Sequence, residues 1–296
     1  MKILLLGRTG MLGSDCYRVL SRSNEIIAPD RKELDIVSWD KVIEMLQNFS
    51  PDIILNCAGF TDVDACEKED FRLRKVNVEG PRNLAQGAAR FNCKFIHISS
   101  DYVFSGQKTI PQPYFEDDTM DPLSAYGKSK VESEVGVREN APDYIIVRTG
   151  WLYSHQGKNF IKSILENAFT KKRKALKIVE DQVGSPTWTY RLAIQIRTLI
   201  KANAIGTYHA TSEGYCTRYD FARYIFDKLK IKINLTPCRM KDYRQVANRP
   251  SNCILENRLL KKQAINVMPD WQQDVNIFLD RFGKEMVKNA KSAKRK

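Results

Sequence analysis

The chain opens on a short apolar run, Ile3-Leu4-Leu5-Leu6, that stops at Gly7, and further glycines follow at positions 10 and 13. Lys2 to Leu6 reads as a buried strand. Gly7-Arg8-Thr9-Gly10-Met11-Leu12-Gly13 then reads as a tight turn opening a helix that runs to about Leu20. Strand, glycine turn and helix in that order limit the possible folds more than any other stretch. Glycines let the backbone turn sharply and approach a ligand closely, and a pyrophosphate can then meet the amides at the helix N-terminus. Gly7, Thr9, Gly10, Met11, Leu12 and Gly13 are therefore candidate dinucleotide contacts, although the spacing is G-x-x-G-x-x-G rather than the commoner G-x-G-x-x-G.

The first half continues as strand and helix in alternation. Strands are expected at Glu25 to Ala28, Asp52 to Leu55, Lys94 to Ile98 and Asp143 to Val147, with helical sequence from Phe71 to Arg90. That alternation implies a parallel sheet with right-handed crossovers and helices on both faces. Ligands in such sheets lie beyond the strand ends. Asp30 and Arg31 follow the second strand, where an acid would hold a ribose 2′-hydroxyl and an arginine (Arg31 or Arg8) would neutralise a 2′-phosphate, so NADH and NADPH both fit. Asp35-Ile36 suits either an adenine contact or a helix N-terminal carboxylate. Cys57, Ala58 and Gly59 leave the third strand as small residues against which a cofactor can lie. Asn77 is either a surface residue or a cross-link to a strand-end loop.

Tyr126 and Lys130 stand four residues apart in Ser124-Ala125-Tyr126-Gly127-Lys128-Ser129-Lys130, so on a helix they share a face. A lysine ammonium beside a phenol favours the phenolate and lowers the tyrosine pKa, and such a pair can pass a proton to the oxygen of a carbonyl whose carbon gains a hydride. The spacing alone is common. Ser100, at the end of the fourth strand, adds a hydroxyl able to hold a carbonyl.

The second half is less regular. A helix from about Asn159 to Phe169, strands at Leu176 to Val179 and Gly206 to Ala210, a helix to Lys201, a Thr217-capped helix to Lys230 and a last helix opening at Asp270-Trp271 are expected. We read residues 1–150 as a Rossmann-type dinucleotide-binding domain, with returning segments near 175–205, and 151–296 as mainly a smaller α/β substrate-binding domain. The net charge of +13, from 48 Lys and Arg against 35 Asp and Glu, sits partly in Lys171-Lys172-Arg173-Lys174 and in a tail with Lys288, Lys291, Lys294, Arg295 and Lys296. No nucleic-acid-binding module accompanies it, and a positive field equally steers an anionic nucleotide. No apolar stretch has membrane length, and seven cysteines without C-x-x-C and only three histidines give no metal-ligand spacing. A cytoplasmic protein is expected.

In order along the chain, Gly7 to Gly13, Pro51-Asp52-Ile53-Ile54-Leu55-Asn56, Thr61-Asp62-Val63-Asp64, Ser99-Ser100-Asp101-Tyr102-Val103-Phe104 and Tyr126 to Lys130 resemble the extended short-chain dehydrogenase/reductase family. Val147-Arg148-Thr149-Gly150-Trp151, Gly157-Lys158-Asn159-Phe160, Asp181-Gln182, Gly184-Ser185-Pro186-Thr187 and Arg249-Pro250-Ser251-Asn252 extend the resemblance over nearly the whole chain. Within that family it is similar to the dTDP-4-dehydrorhamnose reductases. The resemblance implies reduction of a 4-keto sugar by NADPH or NADH, with Tyr126 as proton donor, Lys130 as its partner and a ribose ligand, and Ser100 on the sugar carbonyl. It places Trp151 on the sugar, Thr61, Val63, Asp101 and Gln182 around it, and Arg249 on the nucleotide diphosphate.

Two departures stand out. Some family members dimerise through a magnesium site built from glutamates; here the positions hold Asp15, Tyr190 and residues near Asp280-Arg281. That argues against a bound Mg2+ and for a monomer or weak homodimer, with transient contact to the preceding epimerase as the one protein partner implied. Gly150 replaces a common serine, which reads as a small change. A reductase of another 4-keto-6-deoxy sugar, giving for example a talose product, and a non-catalytic regulatory subunit of the same fold stay open.

Overall fold

In the computed structural model, residues 1–169, 175–242 and 246–292 are described; Lys171 to Lys174 and Lys294 to Lys296, which carry part of the basic charge, lie outside them. The central sheet has six strands. β1 (Lys2–Leu6) is flanked on one side by β2 (Glu25–Ile27) and on the other by β3 (Ile53–Asn56), β4 (Lys94–Ser100) and β5 (Tyr144–Thr149) in that order, every pair parallel. A sixth strand, Gly206–His209, pairs in parallel with β5. It comes from the second half of the chain.

The apolar run that opens the chain shows why the sheet needs two covered faces. Side chains alternate across a strand, and Ile3 and Leu5 enter one core while Leu4 and Leu6 enter the other. The first core is closed by the helices Met11–Leu20 and Thr189–Lys201, through Leu12, Cys16, Val19, Leu192, Ile196 and Leu199. The second is closed by Trp39–Phe49, Gly80–Arg90 and Ala125–Asn140, through Val42, Leu46, Leu84, Ala88 and Val137. Because the chain moves from β2 on one side of β1 to β3 on the other, the strand order reverses there. The crevice that a switch point creates opens beyond the ends of β1 and β3.

The buried residues of a third core all come after residue 150, with Tyr102 packed against them. Trp151, Tyr153, Ile164, Leu165 and Leu176 pack on Phe221, Ile225, Trp271 and Phe278, the last two from the helix Trp271–Ser292. The strand Leu176–Val179 pairs with Leu235–Cys238, and Val183–Gly184 pairs with Cys216–Thr217 and Asn252–Cys253. Thr217 caps the helix Arg218–Lys228 as its sequence leads one to expect, its hydroxyl accepting from the Asp220 amide at 2.9 Å.

The helix Ala125–Asn140 departs from the usual apolar stripe. Ser124 caps it by accepting from the Gly127 amide at 3.1 Å, and Pro142 follows its end. Its buried face carries Tyr126, Lys130, Ser133 and Glu134 together with Val137. Polar groups at helical spacing on a covered face require partners, and those partners fix where Tyr126 and Lys130 sit.

Candidate active site

Beyond β1 and β3 lies a cleft of about 620 Å³, lined by Leu6 to Gly10, Ala28 to Arg31, Glu33 to Ile36, Cys57 to Phe60, Arg72 and Val76. Gly7 has φ +77°, and a Cβ there would come within 2.7 Å of the Cys57 carbonyl and the Ala58 amide. Only glycine allows the two strand-end loops to approach this closely. The cradle fits a dinucleotide: glycine amides at one end, small residues along the wall and mixed charge at the rim. Thr9 and Gly10 line it as expected, as do Asp30, Arg31, Asp35, Ile36, Cys57, Ala58 and Gly59.

Met11, Leu12 and Gly13 are not among the residues that line the cleft. Leu12 and Gly13 are buried beneath the turn, and Met11 packs towards Gly157 and Asn159. Asp30 spends one carboxylate oxygen on the Lys32 and Glu33 amides, at 2.7 and 3.0 Å, so the acid that suggested a ribose contact also builds its own turn. Asp35 likewise accepts from the Val37 amide at 3.2 Å. Arg8 lies over the Tyr17 ring, 3.8 Å from its centre.

Asn77 proves to be a cross-link. Its side chain accepts from the Phe60 amide (2.7 Å) and donates to the Phe60 carbonyl (2.9 Å) and the Ser129 hydroxyl (3.1 Å). It therefore fastens the loop after β3 to the helix bearing Tyr126. It sits in a π-helical turn, Lys75–Glu79, a local widening that is frequent at functional sites. Asn77→Ala is expected to cost about 1–3 kcal/mol, from buried groups left unpaired, and to raise the cofactor KM several-fold more than it lowers kcat. Urea melts and steady-state kinetics check this; an unchanged KM would mean the loop keeps its place without the cross-link.

Tyr126 packs with Cys66 and Leu73 in a cluster that includes Phe60, from the cleft wall, and Tyr102, whose ring centre is 5.8 Å away. Lys130 is 4% exposed; its Nζ donates to the Ile98 carbonyl at 2.9 Å and lies 6.0 Å from the Tyr126 ring centre. Neither side chain lines the 620 Å³ cleft itself. Burial pushes the Tyr126 phenol above its ordinary value, against the Ser100 hydroxyl, which pulls it down. Burial lowers Lys130 to about 8. The expected lowering of the phenol by Lys130 is thus overruled: desolvation wins, and Tyr126 stays protonated. That is the form a proton donor needs.

Ser100 ends β4 with its hydroxyl 2.8 Å from Asp101 Oδ1, and it accepts from the Tyr102 amide at 3.2 Å. Gly150 is no small change. A Cβ there would fall 2.2 Å from Asp101 Oδ2, so the buried carboxyl of Asp101 has its present position because residue 150 has no side chain. Trp151, at φ +51°, belongs to the third core, and the guanidinium of Arg218 lies 3.5 Å from the centre of its ring. Packing of a sugar on that face would require Arg218 to move.

On the far side of Tyr102 a second cavity of about 290 Å³ is lined by Phe160, Ile164, Asn167, Leu176, Ile178 and Met240, with Asp64, Lys177, Gln182, Arg218 and Arg249. Gln182 is buried, donating to the Pro250 carbonyl at 3.2 Å and accepting from Arg218 Nε at 3.4 Å. Arg249 is gripped by both oxygens of Asp64, at 3.0 and 2.9 Å. That bond leads the influences holding Asp64 at about 2. Thr61 and Val63 are absent from the lining, where Asp64 takes their place. Arg218, Tyr102 and Phe160 were not singled out from sequence. One signal existed: an arginine in the first turn of a helix opposes the helix dipole.

Tyr126 therefore stands between a dinucleotide-shaped cleft and a cationic, apolar-walled cavity. The sequence model of the family described as "RmlD substrate binding domain" matches residues 1–284. The chain belongs to that family. A dTDP-4-dehydrorhamnose reductase of Aggregatibacter actinomycetemcomitans is 37% identical over 287 residues, covering 92% of this chain and 96% of that protein. The crystal structure of a dTDP-4-dehydrorhamnose reductase from Clostridium acetobutylicum superposes with a TM-score of 0.92 at 37% identity, covering 96% and 100%. That of the Bacillus anthracis enzyme in complex with NADP gives 0.90 at 34%, covering 94% and 98%.

The position at which some RmlD-family members hold magnesium is built differently here. The Asp15 carboxylate meets Arg18 at 3.0 Å and the Thr189 hydroxyl at 2.5 Å, and Arg18 stacks on Tyr190. Among the described residues no group of three His, Cys, Asp or Glu side chains is placed to hold a metal ion, and no helix is long and apolar enough to cross a membrane.

Proposed function

We propose that this chain reduces the C4 ketone of dTDP-4-dehydro-β-L-rhamnose to dTDP-β-L-rhamnose with NADPH or NADH, in dTDP-rhamnose synthesis for cell-surface polysaccharide. The observation that carries the reading is the buried phenol of Tyr126, packed with Phe60 of the cleft wall and Tyr102 of the second cavity and beside Ser100. Bound nicotinamide supplies the hydride. The chain's residues hold the ketone within reach of it and manage charge on the carbonyl oxygen. Ser100 donates a hydrogen bond to that oxygen, and Tyr126 gives it a proton as the alkoxide forms. Lys130, held at the Ile98 carbonyl behind Gly59, binds the ribose.

In the second cavity Arg218 and Lys177 take the diphosphate, and Phe160, Ile164 and Leu176 cover the base. Arg249, committed to Asp64, orders the loop before Pro250 and adds positive field. The reading places the enzyme in the cytoplasm as a monomer or weak homodimer that meets the preceding epimerase only transiently.

The purified protein is expected to oxidise NADPH or NADH when given dTDP-4-dehydro-β-L-rhamnose, with dTDP-β-L-rhamnose identified by NMR. Failure with both cofactors would overturn the reading. A talose-configured product would move it to another 4-keto-6-deoxy sugar.

A further inference from the structure

Asp101 lies behind Ser100 and is 4% exposed. Its Oδ1 is the atom 2.8 Å from the Ser100 hydroxyl. Its Oδ2 is fully buried without a hydrogen-bond partner among the described residues, pressed into the space that Gly150 leaves free. An ionised carboxylate so placed would leave half of its charge on an oxygen with no donor among the described residues better than the weak Cys253 thiol, which is costly. A neutral acid with its proton on Oδ1 donates to Ser100 and leaves only a carbonyl oxygen bare, a far smaller penalty.

The choice decides what Ser100 can do, because a serine hydroxyl has one hydrogen to give and two lone pairs. If Asp101 is a carboxylate, that hydrogen is spent on it. If Asp101 is a neutral acid, Ser100 accepts from Asp101 and from the Tyr102 amide, which fills both lone pairs, and its own hydrogen points out towards the Tyr126 oxygen, where a bound ketone can take it. We propose that Asp101 is a positioning residue that works as a neutral carboxylic acid, donating to Ser100 and so turning the Ser100 hydroxyl into a donor for the ketone oxygen. This rests on the reductase reading above, in which Ser100 holds that oxygen.

The surroundings agree. Burial raises the Asp101 acid to about 6, opposed by Ser100, by Arg218 from the helix Arg218–Lys228 and by the Cys253 thiol. The other titratable groups facing it are the phenols of Tyr102 and Tyr126, both held protonated by burial, while Arg249 acts on Tyr102 from further off. An anionic substrate group resting on Arg218 would cancel part of that residue's pull and favour the acid form in the complex.

Two measurements test the proposal. In wild type, kcat/KM is expected to fall above about pH 6, by at least tenfold over the next two units. In Asp101→Asn, whose amide donates to Ser100 at every pH, this limb should vanish. Carbon-13 NMR of aspartate-labelled protein should show a carboxyl titrating about two units above the ordinary aspartate value, absent from Asp101→Asn. A flat wild-type profile, a limb that survives in Asp101→Asn, or no such high-titrating carboxyl would overturn the inference while leaving turnover, and hence the reductase reading, in place. Loss of all turnover in wild type strikes the reductase reading instead, and the NMR titration then still decides whether Asp101 is a neutral acid.

Discussion

Tyr126→Phe is expected to lower kcat by about 10²–10⁴-fold, the range typical of losing a positioned general acid, with cofactor affinity nearly unchanged. The substitution removes one oxygen and keeps the ring, so the packing on Cys66, Leu73 and Tyr102 survives. The glycine-turn cleft has no wall from Tyr126, which is why binding should hold. The same geometry makes Lys130 a different case. It is a buried ammonium whose Nζ supports the Ile98 carbonyl, so its replacement disturbs the strand end as well as the proposed ribose contact. Single-turnover hydride transfer and NADPH titration by fluorescence separate the two quantities. If Tyr126→Phe keeps kcat within a few-fold of wild type, the proton comes from another group.

What the sequence made legible was whatever local pattern determines. Continuous burial along Ile3 to Leu6, whose side chains alternate between the faces, requires helices on both faces, and the glycine turn after it placed the cleft. The i, i+4 spacing put Tyr126 and Lys130 on one face, and Thr217 marked its helix start. What escaped was set by partners far along the chain. Arg249 looked free in a polar loop, but its carboxylate, Asp64, is 185 residues away. Arg218 gave only the weak sign of a cation at the wrong end of a helix, and its stacking on Trp151 depends on the fold of the third core. Gly150 looked like a tolerable exchange because its neighbour in space, Asp101, belongs to the adjacent strand end. The electrostatic expectation for Tyr126 failed for a related reason: spacing reports that Lys130 is near, whereas the depth of burial decides the outcome.

The second large effect is expected at Glu134, one turn beyond Lys130. Its carboxylate is fully buried and accepts from Arg148 Nε and Nη2 at 2.9 and 2.8 Å, from the Ser99 hydroxyl at 2.5 Å and from Arg138 at 2.6 Å. These bonds join the helix that carries Tyr126 to β4, which carries Ser100, and to β5. Glu134→Gln should therefore destabilise the fold by about 3–5 kcal/mol, because it strands a buried guanidinium. Arg148→Met should cost a similar amount by stranding the carboxylate. The double variant should lose clearly less than the sum. Burial alone would raise the Glu134 acid, but the hydrogen bond and charge of Arg148, with Ser99 and Arg138, outweigh it and hold it below its ordinary value. A carboxyl lowered in the folded state stabilises fully above its unfolded pKa, and that share is lost as pH falls through the folded value. Wild type should accordingly lose more stability than Glu134→Gln when urea melts at neutral pH are repeated well below pH 4. Equal acid losses in the two proteins, or a neutral-pH difference under about 1 kcal/mol, would show that the network only fills space. If the cost appears, kcat should fall with it at temperatures where both proteins are folded, since the network sets the distance between the Tyr126 phenol and the Ser100 hydroxyl, the two groups proposed to meet the ketone oxygen.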